Sequence, residues 1–216
     1  MRTSIVRIVI AAVLLAGTAR AAEESWMSYR PHQTVFVVNW EISGPIGGFS
    51  NYISDTSLRG ISFEARSFVR DQLSLGLSFS WNRFDQTFDL VTVPVNTTSI
   101  TNGTASGPVF RYADQFGIRG LAHYYLGHSQ MLQPYLGVGI GGAWNYAYQQ
   151  VADLTSSQSN FNFIVSPEVG AMIWLAHGAS NAAVNIAFRY TYTTATAGRE
   201  HDLQWLSGIV GLAWGY

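Results

Sequence analysis

The chain has 216 residues, 12% of them charged, no cysteine, no lysine and a formal net charge of −1. That composition excludes a disulfide scaffold and thiolate chemistry, and the lack of any basic excess argues against nucleic acid as a partner. Charge at about half the usual share, beside 14% aromatic residues and 21 glycines, describes a strand-rich chain with apolar surface to hide, for which lipid is a natural place.

Arg2 and Arg7 form a basic head, residues 8–17 (IVIAAVLLAG) an apolar run, and Ala19-Arg20-Ala21 a small-x-small cleavage pattern. The run is too short for a membrane-spanning helix, which needs about 20 residues, and no later run is long enough either. Residues 1–21 are therefore expected to be a secretory signal peptide, and residues 22–33, polar and carrying Pro31, a periplasmic lead-in. Loss of Arg2, Arg7 and Arg20 leaves nine arginines against 13 acids, a charge near −4.

From residue 34 the pattern has period two, the signature of β-strands. Residues 34–42 put Phe36, Val38, Trp40 and Ile42 on one face and Val37, Asn39 and Glu41 on the other. A glycine-rich loop is expected over 43–57. Residues 58–68 then set Ile61 and Phe63 against Ser62, Glu64 and Arg66. After a tight turn, residues 73–84 alternate most cleanly, Leu75, Leu77, Phe79 and Trp81 against Ser74, Gly76, Ser78 and Ser80. Residues 85–111, rich in Thr, Ser, Asn and Gly, are predicted as a long loop, with 90–95 able to extend the hairpin outward. Strands follow at 112–126 and 134–148, a polar loop at 149–160, and strands at 161–175 and 183–194. Loop 195–202 leads into the closing strand 204–216, where Leu206, Gly208, Val210, Leu212, Trp214 and Tyr216 oppose a smaller face.

The connections alternate long and short, and the strands have about the length a tilted membrane strand needs. This predicts an all-β fold, an eight-stranded antiparallel up-and-down transmembrane β-barrel over residues 34–216, with short periplasmic turns and long external loops. Aromatic residues predict two interfacial girdles: Trp40, Trp81, Trp144, Tyr146, Tyr190 and Tyr192 at the loop ends, and Tyr124, Trp214 and Tyr216 at the turn ends. A soluble lipocalin-like barrel would show the opposite polarity. Pro167 falls mid-strand on the outward phase, where it removes a ladder hydrogen bond; a bulge, or a register shift around Ser166–Glu168, is expected there.

The inward set places Glu41, Glu64 and Glu168 against Arg66, Arg119 and Arg189. An eight-stranded wall leaves room for little but side chains, and buried charges must pair. An Arg–Glu network is expected, with His123, Asn39, Asn185 and Gln115 satisfying the remaining groups. It is either a structural plug or a gated, proton-linked element. Gly137, Gly139 and Gly141 either leave a slot or make room for side chains opposite. No HExxH, GxSxG, CxxC or GxxxxGK[ST] motif is present. No catalytic site, metal site or cofactor is expected, and no enzyme; loop residues such as Asp85, Asp89, Asp153, His201 and Asp202 are the remaining candidates for one.

The signal, the PYLGVGIGGAWN stretch from Pro134, the SPEVGA stretch from Ser166 and the terminal strand resemble the OmpA-like, opacity-type outer-membrane β-barrel superfamily, which includes OmpX and OmpW. The resemblance implies a monomeric eight-stranded barrel in a bacterial outer membrane, in contact with the bilayer and lipopolysaccharide. It also implies that the C-terminal strand is handed to the outer-membrane assembly machinery, usually through a terminal Phe where this chain has Tyr216. Members that deacylate lipid A carry an HxSN-like motif on a late strand; the corresponding place here is Arg189-Tyr-Thr-Tyr-Thr-Thr, without His or Ser. Two roles are implied: contact with a host or surface ligand through the external loops, or an OmpW-like conduit for small hydrophobic molecules.

Overall fold

The computed structural model describes residues 34–95, 103–126, 132–151, 154–175, 182–194 and 202–215; the expected signal and lead-in over residues 1–33, and Tyr216, lie outside them. Eight strands follow in order: β1 (Thr34–Ile46), β2 (Ser57–Arg70), β3 (Leu73–Val95), β4 (Gly103–Tyr125), β5 (Leu132–Val151), β6 (Leu154–Trp174), β7 (Ala182–Thr193) and β8 (Leu203–Gly215). One short helix, α1 (Phe49–Tyr52), lies between β1 and β2. Each strand pairs with the next antiparallel, and β8 returns to β1, from Val35↔Gly215 to Ile46↔Gln204. Closure leaves no free edge along the shared part of the wall. The eight-stranded antiparallel barrel predicted from the alternation is the fold.

Its polarity is inside out. Leu77, Phe79, Ile118, Phe188 and Leu212 stand 53–63% exposed on the outer face, while Asn39, Glu64, Arg66, Arg119 and Arg189 are no more than 3% exposed. In water that arrangement would forfeit the burial of most of the large apolar side chains. Against hydrocarbon it is the stable one, because strand backbone is satisfied within the wall and the grease faces lipid.

Three expectations are corrected. Residues 85–111 and 149–160 are mostly strand: β3–β4 pairing runs on to Val95↔Gly103 and β5–β6 pairing to Val151↔Leu154. Apart from Val91, Val93 and Val95, these segments carry little apolar alternation because both faces leave the membrane, yet Thr-rich chain pairs readily once a neighbouring strand guides it. Pro167 makes neither a bulge nor a register shift. Its pairing with Val138 is regular on the β5 side. On the β7 side Val165↔Tyr192 and Glu168↔Arg189 keep one register, and the two positions between them simply go unpaired. Loop 43–57 is not solely an external connection. β1 continues to Ile46, Gly47 turns the chain at φ 60°, a conformation that favours glycine, and α1 brings Phe49 into the barrel mouth, followed by Ile53.

Candidate functional site: the lumen

The interior is built in layers from the inward phase of each strand. At the loop end Phe49 and Ile53 pack on Phe84, Ala113, Leu203 and Trp205. Phe49 meets Phe84 edge-on at 5.0 Å between ring centroids, and Phe84 meets Trp205 at 5.4 Å. The lid is tied down by Ser54 N–H to Gln86 Oε1 at 2.8 Å and by Arg111 Nη1 to the Tyr52 carbonyl at 2.9 Å.

Beneath it lies an amide layer. Gln115 Nε2 donates to Asn145 Oδ1 at 2.8 Å and to Thr193 Oγ1 at 3.0 Å.

The charged layer follows. Arg189 reaches all three acids: Nε to Glu168 Oε2 at 2.6 Å, Nη1 to Glu41 Oε1 at 2.7 Å and Nη2 to Glu64 Oε1 at 2.6 Å. Arg66 Nε donates to Glu64 Oε2 at 2.8 Å, and its Nη2 lies 3.4 Å from Glu168 Oε1. His123 Nε2 lies 2.8 Å from Glu168 Oε1; a carboxylate only accepts, so Nε2 carries the proton. Asn82 Nδ2 donates to Glu41 Oε2 at 3.4 Å. All six carboxylate oxygens thus have donors, and none of those donors is Arg119. Its guanidinium donates instead to Ser166 Oγ at 3.0 Å and Ser78 Oγ at 3.3 Å. Beside the ion pairs, Tyr135 OH donates to Asn185 Oδ1, and Asn185 Nδ2 to Asn39 Oδ1.

The turn end closes on apolar side chains: Tyr125, Tyr135, Ala187 and Ile209 form one cluster, and Val35, Val37, Met172, Ala183 and Ala213 another, with Phe68 packed against both. The inner glycines leave no slot. A Cβ at Gly137 would collide with His123 and lie 2.9 Å from Glu168 Cγ, and one at Gly139 would lie 2.8 Å from Ser166 Oγ and 3.3 Å from Arg119 Cδ.

Glu41, Glu64, Arg66, Arg119, His123, Glu168 and Arg189 therefore share one buried cluster. Glu64, His123 and Glu168 offer ligand atoms within 4.8 Å of one another, a spacing compatible with a metal ion. The same carboxylates already hold Arg66 and Arg189, so a divalent cation would have to displace guanidinium groups. Of the girdle residues, Trp40, Trp144 and Tyr146 stand exposed near the loop end and Tyr124 and Trp214 near the turn end, with Trp81, Tyr190 and Tyr192 half-buried. Their polar tips bond locally: Trp40 Nε1 to the Leu58 carbonyl at 2.7 Å, Trp81 Nε1 to Asp114 at 3.2 Å, Tyr190 OH to Gln204 at 3.2 Å, Tyr192 OH to Asp202 at 2.8 Å and Tyr124 OH to Gln72 at 2.9 Å. Of the loop candidates for catalysis, Asp85 pairs with Arg59 at 3.3 Å, and Asp153 and His201 lie outside the described residues.

Sequence reasoning missed the apolar ends of the lumen. Phe84 sits on the inward phase of a strand otherwise small or polar there, and that break in pattern was the available signal; Trp205 shares its inward phase with Leu203 and Ile209. Phe49 and Ile53 gave none, since a loop has no period.

Residues 8–205 match the family model described as outer membrane protein beta-barrel domain. The chain belongs to this outer-membrane β-barrel family. The barrel's fold is also that of Ail, the attachment invasion locus protein of Yersinia pestis, with TM-score 0.54 and 9% identity over 87% of this chain and all of that one. Neisserial surface protein A aligns with TM-score 0.51 and 13% identity over 87% of this chain and 98% of that one. The outer membrane protease OmpT of Escherichia coli aligns with TM-score 0.50 and 7% identity over 89% of this chain and 99% of that one. No curated protein sequence matches. At such identities the likeness speaks for the fold of this outer-membrane barrel and not for a shared activity.

Proposed function

We propose that this outer-membrane barrel is a sealed anchor that presents a sheet to the cell exterior for contact with a surface ligand. The observation that carries the reading is the unequal length of the strands. β2–β3 pairing stops at Arg59↔Arg83 and β6–β7 pairing at Ile164↔Thr193. β3 to β6 continue beyond both points as a four-stranded sheet. Its β6 margin, residues 155–159 (TSSQS), is exposed and uncharged, which suits a partner recognised by hydrogen bonds. The layered lumen supports the anchor role: aromatic lid, Arg–Glu network and apolar floor together make a plug. Ail, of the same fold, has been crystallised with the heparin analogue sucrose octasulfate, so the architecture is compatible with an external ligand.

In this reading residues 1–21 are removed on secretion, residues 22–33 stay in the periplasm, the C-terminal strand engages the assembly machinery, and the monomer sits among lipopolysaccharide. The interrupted β6–β7 ladder at Pro167 is the one observation favouring the second reading, a conduit that releases small hydrophobic molecules sideways through the wall.

Planar-bilayer recording of the secreted chain tests the choice. The plugged reading expects no single-channel steps, and none after Pro167→Val. Clear steps in the unmodified protein, lost on Pro167→Val, would establish the conduit instead. Trimming the β3–β4 hairpin between residues 86 and 110 is expected to preserve the folded barrel and abolish adhesion of cells displaying it.

A further inference from the structure

The outer wall at the β8–β1 seam carries a groove that the protein leaves unfilled. Two adjoining recesses, of about 420 and 160 Å³, meet at Trp40 and Val210. The larger lies among Val38, Ile61, Val184 and Leu212; the smaller lies among Ile42, Ile186, Phe188 and Gly208. All these outward side chains are apolar. The smaller recess opens over Gly208, the one outward position of β8 without a side chain, between Leu206 and Val210. A Cβ there would meet nothing within 4 Å. Its cross-strand neighbours Ile42 and Phe188 flank the gap without covering it. Gly142, outward on β5, shows the contrast: the Phe161 ring lies directly over it. Trp40 is held as a fixed side of the groove by its bond to the Leu58 carbonyl, 2.7 Å long.

An apolar recess in a lipid-facing wall has no donors for water or a headgroup, and left empty it forfeits dispersion contacts on one side. The matching occupant is a methylene chain. The groove starts at Ile42 and Phe188, on the loop side of Trp40, and descends to Val38, Val184 and Leu212. A chain lying in it enters from the outer leaflet. We propose that the Gly208 groove seats one acyl chain of outer-leaflet lipid A. This rests on the membrane-facing wall and is independent of the surface-contact reading.

The test is native mass spectrometry of the full chain in detergent micelles, titrated with hexa-acylated lipid A. One lipid A is expected to remain bound at the lowest loadings. Gly208→Phe fills the smaller recess, at the loop-side entrance of the groove, and weakens retention about tenfold, the effect of losing contact with about two methylenes. Gly120→Phe places the same ring on another open part of the wall, where the nearest atom to an added Cβ is 3.7 Å away, and leaves retention unchanged. Heat-modifiable migration in gels shows that both variants fold. Unchanged retention in Gly208→Phe, or equal loss in both variants, would overturn the site. Equal retention of dipalmitoyl phosphatidylethanolamine would overturn lipid A as its occupant.

Discussion

Arg189 is where the buried charges converge. It alone donates to all three lumen carboxylates, from β7 to partners on β1, β2 and β6. Removing one member of a buried ion-pair network leaves the others desolvated and uncompensated, at a cost of about 3–5 kcal/mol. Arg119 carries the same charge at the same burial but bonds only two serine hydroxyls. Those bonds are offset by the cost of keeping a guanidinium buried without a carboxylate partner, so its loss costs about 1 kcal/mol. Arg189→Met is therefore expected to lower stability several-fold more than Arg119→Met, measured by denaturant unfolding in lipid vesicles; equal losses would show that charge count matters and pairing does not. The inward phase of all six charges was legible from alternation. The partners were not, because Arg189 and Glu41 lie 148 residues apart and meet only through closure of β8 on β1.

At the scale of elements, Pro167 shows how the wall tolerates a missing donor. The strand does not bulge because β5 holds it in register on one side, from Val165↔Ile140 to Glu168↔Gly137. The deficit is confined to the β7 side, at the level of Tyr190 and Thr191. Pro167→Val restores an N–H on an outward position that already faces lipid. It is expected to raise stability by about 1 kcal/mol and to slow hydrogen exchange in β7; faster exchange there would mean that the proline is relieving strain. The turn-side ends of the strands, the inward and outward faces and the closing strand could be read in the chain because the membrane imposes a period of two. Beyond the membrane that constraint ends. Residues 85–89 and 154–160 are strand with no hydrophobic rhythm, and the lid residues Phe49 and Ile53 are placed by contacts with Phe84 and Trp205 rather than by any local pattern.

For the whole molecule, the bilayer should be detectable as a gradient along one strand. Ile140, 49% exposed, stands near the middle of the lipid-facing stretch of β5, and Tyr146, 40% exposed, lies toward its loop end. At a rise of about 3.3 Å per residue they are separated by about 20 Å along the strand, and strand tilt of about 40° brings this to about 15 Å of depth. Arginine on a lipid face costs about 2–4 kcal/mol at the midplane and about 0–1 kcal/mol near the interface. Ile140→Arg is thus expected to destabilise the barrel in vesicles by several times as much as Tyr146→Arg. Both substitutions leave the lumen untouched, so the difference reports depth alone. In detergent, where the hydrocarbon layer deforms around a charge, the gap should narrow. Equal small effects in vesicles would mean that water reaches the wall at Ile140, and an inside-out barrel of this composition would then have no medium to explain it.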